Sequence, residues 1–104
     1  MSFSSLRILD LSDNRLTEVS TDLHALRNVL TGLSIQGNPI SQLPPFITDM
    51  TKLMHLHMGN TLIKELPEDI GNMESLTILN IRVSTICRLP ASFAKLTVSI
   101  VDPM

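Results

Sequence analysis

The sequence predicts an α/β solenoid, a short curved horseshoe with a parallel β-sheet on its concave face and short helical or 3₁₀ turns on its convex face. One pattern of apolar residues, here called the frame, occurs in four copies along the 104 residues. Within each copy, apolar and polar residues alternate as they do in a short strand with one buried face. Units of this size bury their apolar faces only by stacking, so the recurrence favours a continuous repeat array.

The first copy shows what each position of the frame does. It reads Leu6-Arg-Ile-Leu-Asp-Leu-Ser-Asp-Asn-Arg-Leu16. Leu9 and Leu11 flank Asp10 and are expected to point into the core, while Asp10 points to solvent. Asn14 stands where the chain must turn, and its amide can pair with backbone groups that the bend leaves free.

The copies are evenly spaced, and their spacing defines the domain organisation. Their first residues lie in steps of 24, 23 and 23 residues, at Leu6, Leu30, Leu53 and Leu76. We therefore assign residues 1–96 to one repeat array. The pattern fails after Leu96, so residues 97–104 are expected to form an irregular tail or a weak edge strand.

Between the copies, apolar residues three and four positions apart predict one helical or 3₁₀ turn per repeat, with its inner side against the core. In three repeats a proline directly follows the first of these apolar residues, at Leu43-Pro44, Leu66-Pro67 and Leu89-Pro90. Proline is tolerated at the first position of such a turn because its φ angle is already fixed there. We expect the three leucines to be buried and the three prolines to open the turns.

Composition and charge exclude several classes of function. The net charge of −2 and the dispersed Lys and Arg residues argue against a nucleic-acid partner, which requires clustered cations. No apolar run reaches the roughly 18–20 residues that cross a bilayer, so no membrane insertion is expected. Cys87 is the lone cysteine, and the first residues lack the features of a secretory signal. These observations predict a cytoplasmic, intracellular protein.

The strand side chains that face away from the core are unconstrained by the fold, so specificity can be encoded there. We expect a protein partner to bind this concave face through Asp10, Ser12, Ser34, Gln36, His55, His57, Asn80 and Arg82. The alternative is that these are solvated sheet positions and that the binding site lies elsewhere. The sequence leaves both alternatives open.

No set of residues indicates catalysis, a cofactor or a metal. His55 and His57 face the same way, but their expected neighbours Ser34 and Asn80 are poor ligands for zinc. Cys87 has no histidine at its level of the frame, although a cysteine nucleophile requires a base nearby. The acidic cluster of the third turn falls on the convex wall, which favours a solvated surface. We therefore predict a non-enzymatic protein without a metal or a cofactor.

The shared template L-x-x-L-x-L-x-x-N-x-L resembles the leucine-rich repeat family. Two segments are similar to the cytosolic L-P-x-x-I-x-x-L type of that family, Leu66-Pro-Glu-Asp-Ile-Gly-Asn-Met-Glu-Ser-Leu76 and Leu89-Pro-Ala-Ser-Phe-Ala-Lys-Leu96. In Gly59-Asn-Thr-Leu-Ile-Lys-Glu-Leu-Pro67, Thr61 replaces the turn asparagine. That style resembles the repeat region of plant intracellular nucleotide-binding disease-resistance proteins.

The plant resemblance implies a segment of an immune receptor in plant defense. Its role would be effector recognition, or contact with adjoining domains of the parent receptor. The alternative is a scaffold or adaptor that docks a small GTPase, a kinase or a phosphatase, because such scaffolds share the L-P-x-x-I frame. An enzyme would require a cleft with perturbed titratable groups, and the sequence offers none.

Overall fold

In the computed structural model, which describes residues 7–83 and 85–101, five short strands form one parallel sheet. In order across the sheet, these are β1 Ile8–Asp10, β2 Gly32–Ser34, β3 His55–His57, β4 Ile78–Asn80 and β5 Ser99–Val101. Parallel pairing requires that each connection return along the opposite wall, as the predicted turns do. The predicted solenoid with a parallel sheet is confirmed. Leu6 and Ser84 of the sequence frame lie outside the described residues.

The strands stand in a register that repeats the sequence frame. Their central residues are aligned across the sheet as Leu9, Leu33, Leu56, Leu79 and Ile100. Leu33, Leu56 and Leu79 are almost completely buried. Successive side chains of a strand point to opposite faces, so the first and last residues of β2, β3 and β4 face the concave side.

Residues 97–104, for which the sequence allowed either an irregular tail or a weak edge strand, contain β5. Ile100 is the Cα partner of Leu79, so the last step between repeats is 21 residues. A step of 23 residues would instead place Asp102 opposite Leu79. The sequence frame failed here because the connection before β5 is two residues shorter than the connection before β4.

The opposite wall consists of short 3₁₀ helices, as predicted. In the described part of the chain they span Thr21–Leu26, Pro45–Asp49, Ile70–Asn72 and Ala91–Lys95. The first three bury Leu23, Ile47 and Ile70 in the core. Pro44 and Pro90 lie one residue earlier than expected, as the N-caps of their helices. Pro67 departs further from the expectation, because it lies three residues before Ile70, the first residue of its helix. Proline suits this place because an N-cap is extended, and Pro44 has φ −65° and ψ 146°.

The leucine before each proline packs inward in two repeats but not in the last. Leu43 and Leu66 are 6% and 4% exposed, whereas Leu89 is 51% exposed. The prediction that Leu89 is buried is therefore wrong. Within residues 7–83 and 85–101, no further 3₁₀ helix follows Ala91–Lys95 to cover it, because β5 continues only the sheet.

A buried amide connects the first two repeats at their turns. The Oδ1 atom of Asn38 accepts hydrogen bonds from the N–H groups of Asn14 and Leu16, each at 2.9 Å. Its Nδ2 group donates to the carbonyls of Leu11 and Ile35, also at 2.9 Å. Asn38 is 1% exposed, so removing its side chain would leave buried and partly buried backbone groups unpaired.

The residue directly before the turn position has a left-handed backbone in each of the four frames. The φ angles are 57°, 75°, 52° and 51° at Asp13, Gly37, Asn60 and Val83. Glycine, asparagine and aspartate tolerate this conformation, whereas a β-branched side chain is strained in it. Val83 is therefore the one residue of these four whose β-branched side chain is strained by the left-handed backbone conformation.

We expect Asn38→Ala to lower the free energy of unfolding by about 3 kcal/mol, because it leaves buried donors and acceptors unpaired. Chemical denaturation measures this loss. The matched control is Asn14→Ala, since the exposed Asn14 amide donates only to nearby carbonyls of Leu11 and Ser12 and should cost about 1 kcal/mol or less. Equal losses in the two variants would contradict the bridging role of Asn38.

We expect Val83→Asn to raise the free energy of unfolding by about 1 kcal/mol, because asparagine accepts the left-handed backbone. Thermal or chemical unfolding tests this gain. Val83→Thr keeps the branched side chain and should give no gain, although it also removes exposed apolar surface. A gain shared by both variants would assign the effect to surface polarity instead of backbone conformation.

Candidate protein-interaction face

The strand register brings the surface residues into two rows on the concave face. The start row, at the first residue of each strand, contains Ile8, Gly32, His55 and Ile78. The end row, at the last residue, contains Asp10, Ser34, His57 and Asn80. Neighbouring strands lie about 4.8 Å apart, so each row spans roughly 14 Å from β1 to β4. Five of the eight sequence-predicted site residues therefore share one continuous surface.

The other three, Ser12, Gln36 and Arg82, lie in the turns that follow the strands. Ser12 is half-buried, and Gln36 and Arg82 are exposed. Backbone hydrogen bonds join these turns across repeats, from the Asp13 N–H to the Gln36 carbonyl at 2.9 Å and from the Asn60 N–H to the Arg82 carbonyl at 2.7 Å. The turns therefore extend the surface of the end row in the same order as the strands.

Asp10 ends β1 with its carboxylate held by the turn that follows. Its Oδ1 atom accepts hydrogen bonds from the Ser12 hydroxyl and from the Ser12 N–H, the latter at 2.9 Å. The hydroxyl, followed by the N–H, holds the pKa of Asp10 below its ordinary value, and the nearby His57 adds a smaller lowering effect. Asp10 therefore presents an ionised carboxylate on the β1 side of the face at neutral pH.

His57 is oriented by the amide of its neighbour in the end row. The Oδ1 atom of Asn80 accepts the Arg82 N–H at 3.0 Å, which directs the Asn80 Nδ2 group to the Nδ1 atom of His57 at 3.3 Å. Because an amide N–H donates, Nδ1 of the neutral ring accepts and the ring proton lies on Nε2. The half-buried His57 therefore offers a hydrogen-bond donor from its other nitrogen.

The other histidine and the cysteine of the described chain lie outside the two rows. Among residues 7–83 and 85–101, no group of three or more His, Cys, Asp or Glu side chains is arranged to hold a metal ion. Cys87 is an exposed free thiol. His24 lies on the opposite wall, 3.2 Å from the Asp49 carboxylate. None of the helices in those ranges has the length and hydropathy needed to cross a bilayer.

Comparison with known proteins agrees with the repeat frame. The family model described as "Leucine Rich repeats (2 copies)" matches residues 4–48. The chain is 37% identical over 81 residues to the leucine-rich repeat serine/threonine-protein kinase 1 of Caenorhabditis elegans. That alignment covers 74% of this chain but 3% of the kinase, so the similarity concerns one small part of a much longer protein.

Two solved structures share the architecture. An internalin from Listeria monocytogenes is 27% identical, with a TM-score of 0.76 over 96% of this chain and 29% of its own chain. A leucine-rich repeat protein of Leptospira interrogans is 20% identical, with a TM-score of 0.65 over 96% of this chain and 34% of its own. The chain thus contains leucine-rich repeats and folds as a short leucine-rich repeat solenoid.

Sequence reasoning missed the hydrogen bonds that orient the surface groups. Asp10 and Asn80 each accept the N–H two residues ahead. A local signal for this existed, because Asp and Asn commonly form such turns with their own backbone. The contact between Asn80 and His57 has no local signal, since it depends on the register of two strands that are 23 residues apart.

We expect Asn80→Ala to release His57 from its single neutral tautomer. Nitrogen-15 NMR of the neutral form of the His57 ring distinguishes a proton on Nε2 from one on Nδ1. The unmodified protein should show the Nε2–H form, and Asn80→Ala should shift toward a mixture. Asn72→Ala, in the third 3₁₀ helix, is the matched control and should change nothing. A ring proton on Nδ1 in the unmodified protein would contradict the assignment.

Proposed function

We propose that this solenoid is a non-enzymatic protein–protein interaction module whose partner lies on the concave face. The observation that carries the proposal is the register, which aligns the surface residues of four strands in two rows. The core is filled from the other face of each strand, so the row residues are free to serve recognition. Extended surfaces of this kind are what repeat proteins use for binding.

The chemistry of the face supports binding over catalysis. The lowered pKa of Asp10 leaves a carboxylate that is a weak base at neutral pH. The Nδ1 atom of His57, which a carboxylate would orient in a catalytic pair, faces the Asn80 amide instead. These groups are suited to hold a partner, and neither is positioned to activate a nucleophile.

Two finer roles fit such a module. We place first the scaffold role, docking a small GTPase, a kinase or a phosphatase within a signalling protein. It is favoured by the relative of 37% identity, which is an animal protein named as a serine/threonine-protein kinase. The plant immune-receptor role rests on the repeat style around Thr61, and the comparisons lend it no support.

We propose an intracellular location for the module. The lone Cys87 supports this assignment, because it stands exposed as a free thiol, and free thiols persist in reducing compartments.

A steric block tests the proposed face. Peptides are first selected on the immobilised chain from a display library of random linear peptides. Ser34→Arg places a long charged side chain in the middle of the end row and should lower the affinity of the chain for the selected peptides by about tenfold or more. Ser41→Arg, at an exposed position outside the rows, should leave their affinity unchanged.

The melting temperatures of both variants are measured alongside, so that lost binding is not confused with unfolding. Binding that survives Ser34→Arg and is lost in Ser41→Arg would place the interaction outside the concave face. A selection that yields no peptide sensitive to Ser34→Arg would contradict the proposed function.

A further inference from the structure

Charge is divided between the two sides of the concave face. The carboxylate of Asp10 lies on β1, whereas the guanidinium-bearing Arg82 lies two residues after the end of β4. The imidazoles of His55 and His57 lie on β3, next to β4. The residues between them on β2, Gly32 and Ser34, are uncharged. Within the two rows, a partner lying across the strands therefore meets the Asp10 carboxylate at one side, here called the acidic side, and the imidazoles with Arg82 beyond them at the other, here called the basic side. The exposed Arg7 and Arg15 flank β1 outside the rows.

The basic side presents hydrogen-bond donors as well as charge. His57 offers Nε2–H because Asn80 occupies its Nδ1 atom. Arg82 is exposed. Its backbone packs directly against Gly59, where an added Cβ would lie only 2.5 Å from the Arg82 carbonyl oxygen. A neutral imidazole N–H and a guanidinium both pair well with a carboxylate.

The acidic side presents a fixed acceptor. The Asp10 carboxylate is held in place by Ser12, and its lowered pKa keeps it charged. Ile8, at the other end of β1, is 71% exposed and covers the neighbouring Gly32. A cationic side chain with an apolar stem, such as lysine or arginine, matches this combination of an anion beside an exposed aliphatic group.

We propose that the concave face takes an extended peptide segment that carries one basic and one acidic residue. The basic residue pairs with Asp10, and the acidic residue pairs with His57 and Arg82. This proposal rests on the proposed function, because it assigns the chemistry of the partner on that same face. Two to three strand spacings separate the two sides, which is about 10 to 14 Å. An extended chain covers that distance in about three or four residues.

The test examines the sequences of the selected peptides. Those sensitive to Ser34→Arg should be enriched in a Lys or Arg and an Asp or Glu about three or four positions apart. Arg82→Glu should lower the affinity for such a peptide by about tenfold. Replacing the acidic residue of the peptide with lysine should recover most of the lost affinity. Lys95→Glu, in the fourth 3₁₀ helix on the other wall, is the matched control and should have no effect.

The outcomes separate this inference from the function beneath it. Concave-face peptides without the spaced pair of charges would overturn the inference and leave the interaction module standing. Failure of the lysine exchange to restore binding to Arg82→Glu would also overturn it. Single-stranded DNA is tested as a competitor. If it displaces a bound peptide at a lower concentration than the same peptide added free in solution, the basic side binds phosphates, which would contradict a peptide partner.

Discussion

The structure depends on the parallel register of very short strands. Each described strand has three residues, and in β2, β3 and β4 the central leucine is buried while its neighbours face the other way. A slip of one residue would exchange the buried and exposed sets, so the hydrophobic core itself fixes the register. The alignment of Asp10, Ser34, His57 and Asn80 is a direct consequence of that constraint.

The turns after the strands stabilise the same arrangement with polar groups. The Asn38 side chain forms hydrogen bonds with the backbone of the preceding repeat, which fixes the position of the two turns relative to each other. Thr61 keeps only a bond to the Met58 carbonyl in its own repeat, because a hydroxyl is shorter than an amide. The interactions between turns therefore differ along the solenoid, while the strand ladder continues unchanged.

Much of the fold followed from the sequence because spacing determines which residues are buried. The four frames, the parallel sheet and the turns on the opposite wall all rest on the periodic placement of aliphatic residues. The exposure of Leu89 and the position of β5 did not follow. The position of β5 depends on the last connection, which is two residues shorter than the connection before β4 and so breaks the period. Leu89 is exposed because no further 3₁₀ helix follows Ala91–Lys95 in the described residues to cover it. The sequence predicted proline at the first helical position, whereas Pro44 is the N-cap. The two positions are adjacent and differ in backbone angles, which the sequence does not specify.

The candidate face could be predicted as a set of positions but not as an arrangement of donors and acceptors. Strand alternation identifies which side chains leave the core. It does not reveal that Asn80 directs the His57 ring, or that Ser12 holds Asp10, because these bonds require the three-dimensional placement of the turns. Those bonds turn a row of polar residues into a surface with a defined acidic side and a defined donor side.

The strand register is tested most directly by the chemical reactivity of single cysteines along β3. In a Cys87→Ser background, cysteine is placed at His55, Leu56 or His57, and its rate of alkylation in the folded protein is measured. We expect rapid alkylation at positions 55 and 57 and strong protection at position 56, which is buried. Protection at positions 55 and 57 with rapid alkylation at 56 would show that the register is shifted by one residue, and the concave face described above would not exist.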